Sequence, residues 1–242
     1  MSAKAHTKFY TGPKRHINFN ELEWQIPVEE FPKTRLTVAS EKDAGLFAKK
    51  ITDKIISAIA LVCLVPLFTF IGIIIKLGTK GPIFFKQERV GIHGKKFKIY
   101  KFRTMFLNAE FEKKNLILLN EASGPVFKIE NDPRITKFGK LLRKTGLDEL
   151  PQLINVLKGE MSLIGPRPPL EEEVKQYEPH QTHRLSVKPG ITCTWQIVPN
   201  RHAVSFEDWA AMDLKYIDDW TFKEDVSIFF KTIKTFFVAG GH

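Results

Sequence analysis

Cysteine is scarce: the chain has two thiols, Cys63 and Cys193, in 242 residues. They share no motif spacing, so neither a disulfide framework nor a zinc site is indicated, which fits a reducing cytosolic compartment. No GxxxxGK[ST] and no GxGxxG occurs, so neither a P-loop nor a Rossmann phosphate cradle is supported. Residues 1–48 are polar, with no apolar stretch of the signal-peptide kind, so no cleavable leader is expected. They mix charges with three prolines and keep no period, and read as an extension of undisclosed role. The last absence is local: Ile55 to Ile75 carries no charge at all.

That run of 21 residues would reach about 30 Å as a helix, the thickness of a bilayer's hydrocarbon core. A buried soluble helix of that length would show a polar side, and here only Ser57 and Thr69 supply one. A membrane segment is expected. Pro66 near its middle removes a hydrogen bond and clashes with the turn before it. Lys49, Lys50 and Lys54 precede the run, and Lys76 and Lys80 follow it, so the positive-inside rule permits both ends on one side. A re-entrant helix broken at Pro66 and a kinked spanning helix satisfy the physics equally. Asp53, just ahead of the run, reads either as a partner for a nearby lysine or as an ordinary first-turn acid.

What the chain has in excess is positive charge, with 37 Lys+Arg against 27 Asp+Glu and a formal net charge of +10. Such a balance calls for an anionic partner: nucleic acid, an anionic membrane surface or phosphorylated substrates. No nucleic-acid recognition motif accompanies the charge, and an uncharged membrane segment argues against that partner.

The most informative acids are the adjacent pair in Arg143-Lys-Thr-Gly-Leu-Asp148-Glu149-Leu-Pro-Gln152. Leu150, Leu153, Ile154 and Leu157 follow helical spacing, and Pro151 suits a first turn because it has no N–H to donate. Asp148 and Glu149 therefore fall at a helix start, where free N–H groups and the dipole favour their charge. An N-cap Asp with a first-turn Glu is the plain structural reading. Adjacent carboxylates with Arg143 and Lys144 upstream, and the rigid Pro166-Arg167-Pro168-Pro169 run downstream, point instead to divalent-metal and phosphate chemistry.

Around that centre, Ile83–Gln87 and Lys96–Phe102 alternate with a period of two across Gly91-Ile-His-Gly94, which predicts a β-hairpin. It would carry Lys86, Arg89, Lys98, Lys101 and Arg103, with Lys101 and Arg103 on one side to meet the same anion. Residues 106–122 read as a charged helix, and Asn131-Asp-Pro-Arg134 as a turn. Lys137, Lys140, Arg143 and Lys144 form a basic row at helical spacing. Arg167 is preset by flanking prolines to offer a planar fork to phosphate oxygens. Asp213 lies inside the apolar stripe Phe206, Trp209, Ala210, Leu214 and Ile217, and so requires an arginine or a metal. A closing Phe-rich helix, Val226 to Phe237, suits either the core or a membrane interface.

From Lys49 to Val238 these motifs together resemble the bacterial sugar transferases, monotopic phosphoglycosyl transferases that act on polyprenyl phosphate. The resemblance rests on Asp53 and Pro66, Gly81–Gly91, Lys101-Phe-Arg-Thr-Met105, Leu147–Gln152, Asn155–Ser162, Gly165-Pro-Arg-Pro168 and Lys188-Pro-Gly-Ile-Thr192. It implies an α+β fold: a mostly helical cytosolic domain with a small β-hairpin, one re-entrant membrane helix and interfacial amphipathic helices. The expected divisions are an extension over 1–48, the membrane helix over 49–80 and a catalytic domain over 81–242. The resemblance makes Asp148 the nucleophile on the β-phosphate of a UDP-sugar, with UMP released. Glu149 would join Asp148 in placing Mg²⁺, and the phosphosugar would pass to undecaprenyl phosphate. Lys101, Arg103, Arg143, Arg167 and Arg201 are the expected phosphate contacts, with Asp213 as a supporting carboxylate. The expected location is the cytoplasmic face of a bacterial membrane, at its inner leaflet; a second copy of the chain stays open as a partner. Cys193 stands where the family has glycine, and Asn200 replaces the glycine before Arg201, which leaves the sugar undefined. The competing reading is a non-catalytic peripheral protein that binds anionic or prenyl phospholipid.

Overall fold

A computed structural model describes residues 39–198 and 204–238. It is mostly helical, with two small sheets. Helix α1, Ala39–Cys63, and helix α2, Val65–Gly78, meet at Leu64 with a bend of 61°. The bend comes before Pro66, which takes a place in the first turn of α2. This follows from the proline's geometry, since its ring collides with the carbonyl four residues upstream, so the deflection falls on the N-terminal side. No single helix among the described residues is long and apolar enough to cross a membrane, although the bent pair together has the length and composition.

The hairpin forms as expected. Strands β1, Phe84–Val90, and β2, Lys96–Phe102, pair antiparallel with Phe84 opposite Phe102 and Phe85 opposite Lys101. His93 and Gly94, both at positive φ, make the reversal between them. The expected helix over 106–122 does not form. Only α3, Ala109–Glu112, and a 3₁₀ stretch Lys113–Leu119 are present, with Phe111 81 % and Leu118 97 % exposed. With no buried stripe to hold a longer helix, the chain settles into short turns.

Helix α4, Lys137–Lys144, is capped by Thr136, whose hydroxyl accepts from the Gly139 amide at 2.9 Å. The acid-bearing segment then enters as a 3₁₀ turn, Leu147–Gln152, running into α5, Leu153–Lys158. Here the leucine stripe is only partly the buried face: Leu153 is buried in the core but Leu157 is 37 % exposed, while Asn155 and Val156 are buried. Asn155 decides the rotation. Its side chain donates to the Lys98 carbonyl at 2.8 Å and accepts from the Tyr100 amide at 3.1 Å, locking α5 onto β2.

Strands β3, Ser162–Ile164, and β4, Gly190–Thr192, pair in parallel. A Cβ at Gly190 would sit 2.1 Å from the Gly165 amide nitrogen, so only glycine permits this approach. Helices α6, Glu171–Val174, α7, Phe206–Asp218, and α8, Phe222–Val238, complete the fold. The main core joins Ile99, Val156, Met161, Leu163, Tyr216, Trp220 and Ile228, and Ile56, Ala60 and Leu61 of α1 pack against it. Lys49 fixes α1 there, donating to the Ile164 carbonyl at 2.9 Å and to Asp225 at 2.6 Å. Asp225 also accepts from Tyr216 and the Trp220 indole, so one carboxylate gathers α1, α7 and α8. Asp53 accepts from the Ser162 hydroxyl at 2.7 Å and the Leu163 amide at 3.2 Å, tying α1 to β3 rather than to a lysine alone.

Candidate active site

Gly146, in the left-handed region at φ 64°, turns the chain out of α4 and aims the next residues inward. Asp148 lands buried at 7 % exposure in the first turn that follows. Burial pushes its carboxyl up to about 6; Lys101 and Arg143 pull it down, while the Glu149 charge reinforces the rise. No ion pair closes on Asp148 among the described residues. Glu149 behaves in the opposite sense. Burial works to raise it, but Lys101, bonded directly to its Oε1, together with Arg167 and the Gln152 side chain, holds it below the usual carboxylate range. Neighbouring acids thus sit on opposite sides of their ordinary value, the separation expected of groups with distinct tasks.

The cations come from separate elements. Lys101 arrives from β2, which lies against the acid turn. Arg143 is the last-turn residue of α4, held by its Nε on the Thr104 hydroxyl at 3.0 Å, and burial pulls its guanidinium below the ordinary value. Lys137, Lys140 and Lys144 of the same row face solvent. Arg167 hangs from the proline-rich loop, loosely paired with Glu173 at 3.3 Å and close enough to Glu149 to influence its charge. A buried, unpaired carboxylate is thereby ringed by cations that do not neutralise it.

Residues 44–239 match the family model of bacterial sugar transferases. The chain belongs to that family. It is 47 % identical over 161 residues to a galactosyl transferase, CpsE, of Streptococcus agalactiae, covering 66 % of this chain and 36 % of that protein. To the undecaprenyl-phosphate galactose phosphotransferase of Salmonella typhimurium it is 40 % identical over 201 residues, covering 80 % of this chain and 41 % of that one. The exopolysaccharide production protein ExoY of Sinorhizobium fredii aligns over 88 % of its own length, at 38 % identity and 81 % of this chain. The chain thus spans less than half of two of these relatives and 88 % of the third.

Two of the expected site residues have their side chains engaged by the fold. Arg103 gives its guanidinium to the Lys80 carbonyl at 2.7 Å and to the Thr79 carbonyl and hydroxyl at 3.0 and 2.7 Å, clamping the exit of α2. It follows β2 and leaves the face that Lys101 keeps. Asp213 finds an arginine: Arg184 donates to its Oδ2 through Nε at 2.9 Å and Nη2 at 2.6 Å, and Arg184 Nη1 reaches the Tyr177 hydroxyl at 2.7 Å. Arg201 falls outside the described residues.

Other participants gave little sign in the sequence. Arg89 donates to the Pro168 carbonyl at 3.0 Å and to the Gln87 side chain at 2.8 Å, and the Val90 amide bonds the Pro169 carbonyl at 2.9 Å. Together they pin the loop that carries Arg167. Burial, with Arg167 alongside, lowers Arg89 to about 10. Cys193 is buried beside stacked Trp195 and Trp209, whose ring centroids are 4.2 Å apart; burial and then Asp213 push its thiol well up. A thiol so placed is inert.

Proposed function

We propose that this chain transfers a sugar-1-phosphate from a UDP-sugar to undecaprenyl phosphate, releasing UMP, through a phosphosugar held on Asp148. The observation that carries the reading is the state of Asp148: buried, unpaired and flanked by Lys101 and Arg143. Support comes from relatives named as an undecaprenyl-phosphate galactose phosphotransferase and an N-acetylgalactosaminephosphotransferase of Aeromonas hydrophila.

In the first step an ionised Asp148 oxygen attacks the β-phosphorus, and the bond from that phosphorus to the bridging oxygen breaks, so UMP leaves with the oxygen. In the second, an acceptor phosphate oxygen attacks the same phosphorus, and the Asp148 carboxylate departs unchanged. Both steps bring anion to anion, so barrier lowering is mostly positioning and charge neutralisation. Lys101, Arg143 and Arg167 serve that purpose. The two adjacent carboxylates fit Mg²⁺, which proteins hold through one or two acids plus substrate phosphates, and no group of three or more ligating side chains occurs among the described residues. When bound, Mg²⁺ would supply further charge neutralisation on the diphosphate.

The α1–α2 pair is read as a re-entrant helix in the inner leaflet of the bacterial cytoplasmic membrane, with the catalytic residues at its cytoplasmic face. The bend, the lysines at both ends, and exposed Ile55, Ile59, Val62, Val65, Phe70 and Ile73 support this. On α8, Phe230 is 64 % exposed and Val226 41 %, as an interfacial helix requires. The test is UMP release in membranes from a panel of UDP-sugars with undecaprenyl phosphate. Turnover with one or more sugars is expected; no turnover with any sugar, with or without Mg²⁺, overturns the reading.

A further inference from the structure

A groove of about 410 Å³ runs between α2 and the first residues of the hairpin, lined by Phe68, Gly72, Ile73, Lys76, Ile83 and Phe84. Its walls are apolar, and its volume lies in the range of small-ligand sites. We propose that this groove seats the first isoprene units of the prenyl-phosphate acceptor, an inference that rests on the function proposed above.

Position is the first argument. Phe68 and Phe84 both pack on Phe102, at centroid separations of 5.0 and 5.4 Å. Phe102 is buried against Leu142 and Leu147, and Leu147 immediately precedes Asp148. The residue on the other side of Phe102, Lys101, is bonded to Glu149. One buried aromatic ring, Phe102, therefore joins the groove to the acid turn.

Charge complementarity is the second argument. Lys76 is the cation of the groove, and its ammonium gives one bond to the Gly81 carbonyl at 3.2 Å, leaving donors for an anionic head. An apolar slot closed by one cation matches a molecule with an apolar tail and a phosphate. Room is the third. Gly72 contributes no side chain, and a Cβ there would already stand 3.3 Å from Ile83. The hairpin residue Phe84 and the α2 residue Ile73, 37 % and 53 % exposed, are the two lips.

The test replaces a lip without touching the acid turn. Ile73→Trp should raise the KM for undecaprenyl phosphate roughly tenfold or more in mixed micelles. The KM for the UDP-sugar, and the UMP released in a single turnover without acceptor, should stay as in wild type. Ile59→Trp, on an exposed part of α1 away from the groove, is the control and should leave both KM values unchanged. Equal effects of the two tryptophans, or loss of the first half-reaction in Ile73→Trp, would overturn the inference. A wild type without any turnover would instead count against the proposed function itself. A benzophenone amino acid at position 73 gives a second readout: its adduct with undecaprenyl phosphate should be suppressed by added polyprenyl phosphate and not by phosphatidylglycerol. Suppression by both equally would show a seat for bilayer tails only.

Discussion

Two carboxylates are buried in this protein to similar depth and to different effect. Asp213, fully buried, has its Oδ2 gripped by two nitrogens of Arg184. Asp148, 7 % exposed, has Lys101 and Arg143 near enough to shift its charge but no ion pair of its own. Burial raises both. The difference teaches how a buried acid is read: one held in an ion pair by an arginine contributes architecture, and one left open among cations is available for chemistry.

The sharpest way to break this contrast is to neutralise each acid in turn. Asp148→Asn should lower transfer by at least about 10³-fold while leaving thermal unfolding near wild type, because it removes a strained charge. Asp213→Ala should do the reverse in kind. It leaves Arg184 buried without its partner and should cost about 3–5 kcal/mol of stability, visible as a lowered unfolding midpoint. If Asp213→Ala proves stable and inactive while Asp148→Asn is active, the two roles have been exchanged.

A smaller effect is expected from the cations. Lys101→Ala and Arg143→Ala each withdraw a donor from the reacting phosphate and should reduce turnover by about 10²–10³-fold. Arg103→Ala should instead loosen the exit of α2, with a larger change in membrane extraction than in single-turnover UMP release. Acidity sharpens the contrast further. Asp148 must be ionised to attack, so the first half-reaction should rise as pH increases through about 6. Its folded value lies above the unfolded one, so its contribution to stability is complete below about pH 4 and is lost as pH rises to about 6. Asp148→Asn should flatten that stretch of the stability profile, as read by denaturant unfolding. The smallest change is Gly146→Ala, which forces a side chain into the left-handed region at a cost of about 1–2 kcal/mol and should slow transfer by displacing the acid turn.

Local signals were legible in the sequence. The hairpin was visible because alternation and Gly91–Gly94 are both short-range, and the acid turn because Pro151 marks a helix start. The rotation of α5 was not, since it depends on a buried Asn155 meeting β2 backbone more than fifty residues away. Arg103 illustrates the same limit. Strand parity put it beside Lys101, but the chain leaves the strand at Phe102 and the guanidinium finds carbonyls at Thr79 and Lys80. The apolar stripe around Asp213 shows that it needs a partner, while nothing in periodicity singles out Arg184. The loop-pinning role of Arg89 was hidden for a related reason: one cation among several on a basic hairpin carries no mark of its partner.

The central claim is that Asp148 bears the phosphosugar, and retention of label tests it most directly. Protein incubated with a UDP-sugar carrying ³²P in the β-position, without acceptor, should keep one label that undecaprenyl phosphate then removes. Asp148→Asn should keep none. A folded wild type that turns over but never retains label, or an Asp148→Asn protein that retains it as well as wild type, would contradict the account.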